Sequence, residues 1–218
     1  MSVKFIIFDW DGTLIDSAER IIRCMQKASM DADLPMPSDA AVRNIIGLGL
    51  PEAFEQLFGG LSAVKEQQMR DRYGYYYIEQ DDTPTDFFPG VIDGLERLRQ
   101  SGYRLAVATG KSRRGLDRVF AETGLGVAFD HSRCADETRS KPHPLMLDQL
   151  LAESGFGVDE AVMVGDTEYD LAMAVSAGMV SIGVSYGAHH PERLLKHSPQ
   201  RIIDNFSELE HWLETRSQ

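Results

Sequence analysis

Asp9 and Asp11 stand two positions apart just after the apolar run Phe5-Ile6-Ile7-Phe8. Three later groups could act with them: Thr109-Gly110-Lys111, Lys141, and Asp166 with Asp170. Carboxylate oxygens are hard ligands. Asp9 and Asp166 therefore suit Mg²⁺, which keeps several waters and takes one or two carboxylates plus a substrate phosphate oxygen. The Thr109 hydroxyl and the backbone amides at Thr109 and Gly110, near the start of a helix, can receive a phosphate oxygen. Lys141 offers a compact positive charge to balance an anionic transition state. Each piece alone has an ordinary explanation. Asp-Gly turns end strands, Thr-Gly caps helices, loop lysines are solvated, and acids favour a helix's first turn. The joint occurrence, each at a strand end or crossover loop, outweighs those explanations.

The elements that must position these residues are legible from periodicity. Phe5 to Phe8 reads as a short strand buried on both faces, as in a parallel sheet. Side chains alternate along extended backbone, so Asp9 and Asp11 share a side while Trp10 points away into packing, and Gly12 permits a sharp turn. Helical spacing follows: Ala18 to Ala28 behind Asp16 or Ser17 as N-cap, a second helix capped by Ser38, a third with Pro51 in its first turn, and a fourth from about Ala63 to Ile78. The acidic, proline-containing stretch from Glu79 to Pro89 marks a boundary. From Val91 onward helices and strands alternate, the pattern of a parallel sheet with crossover helices. Strands are expected at Arg104 to Ala108, Phe129 to Cys134, Ala161 to Gly165 and Val180 to Val184, with a short edge strand at Arg201 to Ile203. The fold class is thus α/β: a Rossmann-like, doubly wound parallel sheet core over 1–15 and 84–218, with an inserted all-helical cap over 16–83. In such a sheet the candidate residues become neighbours at one edge.

Composition narrows the function. The chain has 218 residues, 43% hydrophobic and 26% charged, with a formal charge of -12. That charge disfavours binding to nucleic acid or an anionic membrane. Cys24 and Cys134 are the only cysteines, without zinc-ligand spacing, so neither a disulfide framework nor a zinc site is indicated and a reduced cytoplasmic setting is expected. No segment approaches eighteen uninterrupted apolar residues. The histidines, His189 and His190 included, lack partner spacing and are read as solvated.

Asp9-Trp10-Asp11-Gly12-Thr13-Leu14, Val107-Ala108-Thr109-Gly110, Ser140-Lys141-Pro142 and Gly165-Asp166-Thr167-Glu168-Tyr169-Asp170 resemble the four motifs of the haloacid dehalogenase superfamily of phosphohydrolases. The resemblance spans the core, and the helical insertion looks like that superfamily's cap. It implies Asp9 as nucleophile of a phosphoaspartate intermediate, Asp11 as acid and base, Lys141 as charge balance, and Mg²⁺ held by Asp9, the Asp11 backbone carbonyl, Asp166 and Asp170. The loop Gly47-Leu48-Gly49-Leu50 and Thr109-Gly110-Lys111 look most like phosphoglycolate phosphatases, although Gly110 stands where those enzymes usually carry Asn.

A small phosphorylated metabolite is the expected partner, since an attached cap closes on a compact ester. Phosphoglycolate leads by resemblance, with sugar phosphates and pyrophosphate behind it. Gly47, Leu48 and Gly49, with Arg43 before them and Lys111, Arg113 and Arg114 across the cleft, are the candidate selectors. A phosphomutase needs the same core. A phosphonate hydrolase would want a cap lysine, for which Lys27 and Lys65 are weak candidates, and a dehalogenase would not need Asp11. From another class, a phospho-receiver module also joins acids, Thr and Lys on a doubly wound sheet, but would be shorter and lack the helical insertion.

Overall fold

Phe5–Phe8 forms strand β1, every residue of it buried, at the centre of a six-stranded sheet. The computed structural model describes residues 3–215. Beyond β1 the chain makes the two-residue strand β2 (Ile15–Asp16) and then four helices: α1 (Ala18–Asp31), α2 (Asp39–Ile45), α3 (Leu50–Phe58) and α4 (Ala63–Tyr75). A π-helical turn, Tyr76–Gln80, continues α4. After β3 (Asp86–Phe87) come α5 (Val91–Gln100), β4 (Arg104–Thr109), α6 (Arg113–Thr123), β5 (His131–Cys134), α7 (Leu145–Ser154), β6 (Ala161–Gly165), α8 (Glu168–Ser176), β7 (Val180–Val184), α9 (Pro191–Leu195), β8 (Arg201–Ile203) and α10 (Ser207–Glu214).

The large sheet has the order β5-β4-β1-β6-β7-β8, and every neighbouring pair is parallel. The chain leaves β1 for β4 and β5 on one side, then returns to β6 on the other. The strand order therefore reverses beside β1, where parallel sheets open a crevice beyond their carboxyl ends. One apolar cluster gathers Phe8, Trp10, Leu105, Val107 and Val164 with α5 and α10 on one face; another gathers Phe5, Ile7, Ala106, Met146 and Met163 with α7 and α8 on the other. Trp10 packs edge-on to Phe87, Phe120 and Phe129. The inserted helices build a third cluster from Ile22, Met25, Val42, Ile45, Phe54 and Met69.

The antiparallel ribbon pairing Ile15 with Phe87 and Asp16 with Asp86 lies outside the expected elements. Two residues per strand are too few to show alternation. The ribbon straddles both ends of the helical insertion and clamps its two connections together.

Asp81 closes the insertion. Lys27 Nζ lies 2.8 Å from its Oδ2, the Thr83 N–H donates to Oδ1, and Arg20 donates to its carbonyl. Burial works to raise the Asp81 carboxyl, but the Lys27 and Thr83 hydrogen bonds outweigh it and hold the group at about 2, below its ordinary 3.8. A depressed acid stabilises the fold above its unfolded value and loses that contribution as pH falls through its folded one. Asp81→Asn is therefore expected to cost on the order of 2 kcal/mol near neutral pH. Urea unfolding of both proteins between pH 6 and pH 2 checks this: the gap closes as pH falls, and a gap independent of pH would contradict the assignment.

Candidate active site

Asp9 follows β1, Thr109 ends β4 and Asp166 follows β6, so the three meet at the carboxyl edge of adjacent strands. Carboxylate oxygens of Asp9, Asp166 and Asp170 lie within 4.8 Å of one another, all buried. Lys141 Nζ, also buried, sits 2.7 Å from Asp9 Oδ1 and 2.7 Å from Asp170 Oδ1. Asp170 is held from behind: its Oδ2 accepts the Thr167 N–H and hydroxyl. Asp166 Oδ1 accepts the Thr13 hydroxyl and Oδ2 the Ala188 N–H. Asp9 Oδ2, by contrast, is buried without a hydrogen-bond partner.

Electrostatics explain what the cluster is suited to hold. Burial, opposed by Lys141, raises the Asp9 carboxyl well above its usual range. Burial and then the neighbouring charge of Asp170 push Asp166 up to about 7. For Lys141 burial opposes the charge, but Asp170 and Asp9 outweigh it and keep the ammonium protonated. Three carboxylates thus face one ammonium, and a divalent cation with hard-oxygen preference would make up the difference. Together with the orphaned Asp9 oxygen, this donor set fits Mg²⁺. Two glycines leave room for the Asp166 side chain: a Cβ on Gly12, whose φ is +84°, would lie 2.2 Å from Asp166 Oδ2, and one on Gly187 2.2 Å from Asp166 Cβ. Gly187 belongs to no motif and carries no sequence signal.

Asp11 turns away from that cluster. Its Oδ1 accepts the Ser17 hydroxyl at 2.6 Å, and Lys111 Nζ lies 2.9 Å from Oδ2. Ser17 is the N-cap of α1 as expected, but its side chain serves Asp11 rather than the helix. Lys111 also reaches the Tyr77 hydroxyl at 3.3 Å and lies over the Tyr77 ring. Burial opposes the Lys111 charge, yet Asp11 and then Tyr77 hold it above its ordinary value. Lys111, an expected substrate contact, lines the cavity and also pairs with Asp11.

A cavity of about 530 Å³ opens above Asp9, Asp11 and Thr109, between the sheet edge and the inserted helices. Gly47, Leu48, Gly110, Lys111 and Arg114 line it. Three expected selectors do not. Arg43 is exposed, because Val42 and Ile45 occupy the inward face of α2. Gly49 is buried and spends its N–H on Ser140 Oγ, tying the loop to the segment that carries Lys141. Arg113 is drawn off by Glu137, Asp117 and Ser132. Lys27 pairs with Asp81 and Lys65 donates to the Ala32 carbonyl, and neither lines the cavity.

Gly110 has a steric reason for its identity. A Cβ there would stand 2.5 Å from the Leu48 carbonyl oxygen and 2.6 Å from that of Gly47. Any side chain must push the loop back from the sheet edge. Gly110→Ala is expected to cost about 1–3 kcal/mol in urea unfolding, the usual penalty of overpacking; a neutral substitution would show that the loop yields freely.

The reading of His189 as solvated is corrected. The ring is buried: its Nδ1 accepts the Glu168 N–H, and Nε2 donates to the Asn44 carbonyl, which also accepts the Tyr169 hydroxyl. Burial, then Arg193, lowers its pKa, so the neutral ring joins α2 to α8. The partner is a backbone carbonyl 145 residues away, invisible to any spacing rule. His190 is exposed. Cys24 and Cys134 are free and buried, and burial pushes each thiol up to about 12. No helix among the described residues is long and apolar enough to cross a membrane.

Residues 6–184 match the family model described as haloacid dehalogenase-like hydrolase. Among named relatives, "Probable phosphatase IndB" of Dickeya dadantii is 40% identical over 94% of this chain and 90% of its own. A phosphoglycolate phosphatase of Haemophilus influenzae is 30% identical over 94% and 96%. The crystal structure of a predicted phosphoglycolate phosphatase from Haemophilus somnus superposes with a TM-score of 0.85 at 27% identity, covering 97% of this chain and 98% of that one.

Proposed function

The chain belongs to the haloacid dehalogenase-like hydrolases, and from that premise we propose that it is a Mg²⁺-dependent phosphatase acting on a small phosphate monoester through an aspartyl phosphate at Asp9. The buried meeting of Asp9, Asp166 and Asp170 with the ammonium of Lys141, beneath the cavity, carries this reading. Asp9, Asp166, Asp170 and the Asp11 backbone carbonyl would hold Mg²⁺. When bound, the ion screens the repulsion between an attacking carboxylate and an anionic phosphate.

Each of the chain's own groups then has a task. An Asp9 oxygen forms a bond to phosphorus as the bond from phosphorus to the ester oxygen breaks, which divides one difficult displacement into two easier ones. Asp11 gives a proton to the departing alkoxide, so that a neutral alcohol leaves. Asp11 then takes a proton from water as the water oxygen attacks phosphorus, releasing inorganic phosphate and the Asp9 carboxylate. Lys111 Nζ, 2.9 Å from Asp11 Oδ2, holds that side chain in place for this second step. Thr109 lines the cavity beside Asp9 and is assigned, with the Gly110 amide, to the phosphate oxygens. Lys141 fixes Asp9 and offsets charge. The inserted helices act as the cap, hinged at the ribbon of β2 and β3.

The relatives' names make phosphoglycolate the first substrate to try. Sugar phosphates and pyrophosphate follow, and a phosphomutase differs only in excluding water. The buried, unpaired thiols accord with a reducing, cytoplasmic setting. A panel of these compounds with p-nitrophenyl phosphate, assayed for free phosphate and for sugar isomers with Mg²⁺ and then with EDTA, tests the reading. Sustained phosphate release that EDTA suppresses is expected. Isomer without phosphate would make the chain a mutase, and neither product would return the receiver-like role.

A further inference from the structure

We infer that the cavity selects esters whose alcohol is uncharged and carries an apolar body of about the size of an aromatic ring, over esters whose alcohol bears a second acid. The inference rests on the phosphatase reading and concerns what leaves, not how. At about 530 Å³ the cavity is far larger than a glycolate group requires and falls in the range that accepts ring-containing ligands. On the side of the inserted helices its wall is apolar: Ile21, Met25, Ile45 and Leu48 are all buried. Tyr73 and Tyr77, with ring centroids 5.7 Å apart and planes tilted by 35°, add an aromatic flank. Such walls gain by covering an apolar body and offer a ring edge-on or offset stacking.

The charges point the same way. Selecting a second acid requires a cation free to receive it, since a carboxylate left unpaired against apolar walls is costly. Among the described residues Lys111 is the only lysine lining the cavity, and Asp11 and Tyr77 already engage it. Arg70 pairs with Glu66 and Arg118 with Glu122. Arg114 lines the cavity but is exposed at its rim, and Asp71, Glu79 and Asp136 line it as well. A second anion entering beside the phosphate meets hydrocarbon and phenol rings, and Arg114 at the rim shares the lining with three acids.

The test compares kcat/KM for benzyl phosphate, ethyl phosphate and 2-phosphoglycolate with the full chain and Mg²⁺. All three are esters of primary alcohols, so leaving-group reactivity does not decide the order. Benzyl phosphate is expected to exceed the other two by at least about tenfold, the discrimination an apolar pocket gives for added hydrocarbon. Ile78→Arg adds a cation to the lining at a residue 36% exposed, where the fold tolerates charge. It is expected to shift the ratio toward phosphoglycolate by about tenfold. Phosphoglycolate equal to or better than benzyl phosphate with the unaltered chain overturns the inference and leaves the phosphatase standing. Absence of turnover on every ester, p-nitrophenyl phosphate included, overturns both.

Discussion

Asp9→Asn is expected to lower kcat by at least about ten-thousand-fold, the scale on which removing a covalent nucleophile acts, while the fold stays in place. An amide of the same shape cannot attack phosphorus usefully, and among the described residues the neighbouring carboxylates are already engaged. Asp166 has both oxygens committed to Thr13 and Ala188, and Asp170 is divided between Lys141 and Thr167. Stability should not fall with activity. Burial disfavours the Asp9 charge, and Asn removes that charge while Asp170 keeps Lys141 paired. Urea unfolding in EDTA beside the rate assay checks both halves. An Asp9→Asn protein that retains a tenth of the activity, or that loses its fold, would contradict the role given to Asp9.

Lys141→Met is expected to have the opposite profile: a stability loss of about 3–5 kcal/mol along with loss of turnover, because it strands buried carboxylates without their cation. Methionine preserves the length and apolar bulk of the lysine stem, so packing is a small part of the change. Asp9 and Asp170 both sit 2.7 Å from the same ammonium, and the cost should therefore be shared between them. Adding Asp170→Asn to Lys141→Met is expected to recover part of the loss, a non-additivity typical of residues in one charged network. Unfolding of the four proteins in EDTA measures the coupling. A loss below about 0.5 kcal/mol, the level of an ordinary surface substitution, would mean that the ion pairs do not hold the cluster together.

Much of this arrangement was legible because it is local. Phe5–Phe8 declares a buried strand by its unbroken apolar run, Ser38 and Pro51 mark helix starts, and Gly124 and Gly155 mark helix ends as left-handed caps. The acids and Lys141 could be placed together because parallel topology brings successive strand ends to one edge. What escaped was contact between distant segments. Ser17 looked like a helix cap, yet its hydroxyl belongs to Asp11. Lys111 gives no sign in the sequence of its partners, Asp11 and a tyrosine 34 residues earlier. Arg43 sits beside cavity-lining residues in the sequence, and the helical period turns it outward. The ribbon of β2 and β3 is too short for any pattern, and the burial of His189 depends on the Asn44 carbonyl.

The covalent role of Asp9 can be observed directly. An acyl phosphate is reduced by borohydride to the alcohol, which would convert an aspartyl phosphate at position 9 into homoserine, whereas a free carboxylate is untouched. Enzyme quenched in acid during turnover of p-nitrophenyl phosphate with Mg²⁺, reduced and digested, should give the peptide carrying Asp9 with that change, and enzyme quenched without substrate should not. Steady phosphate release with Asp9 unmodified in every quenched sample, or with the change at another acid, would contradict the account.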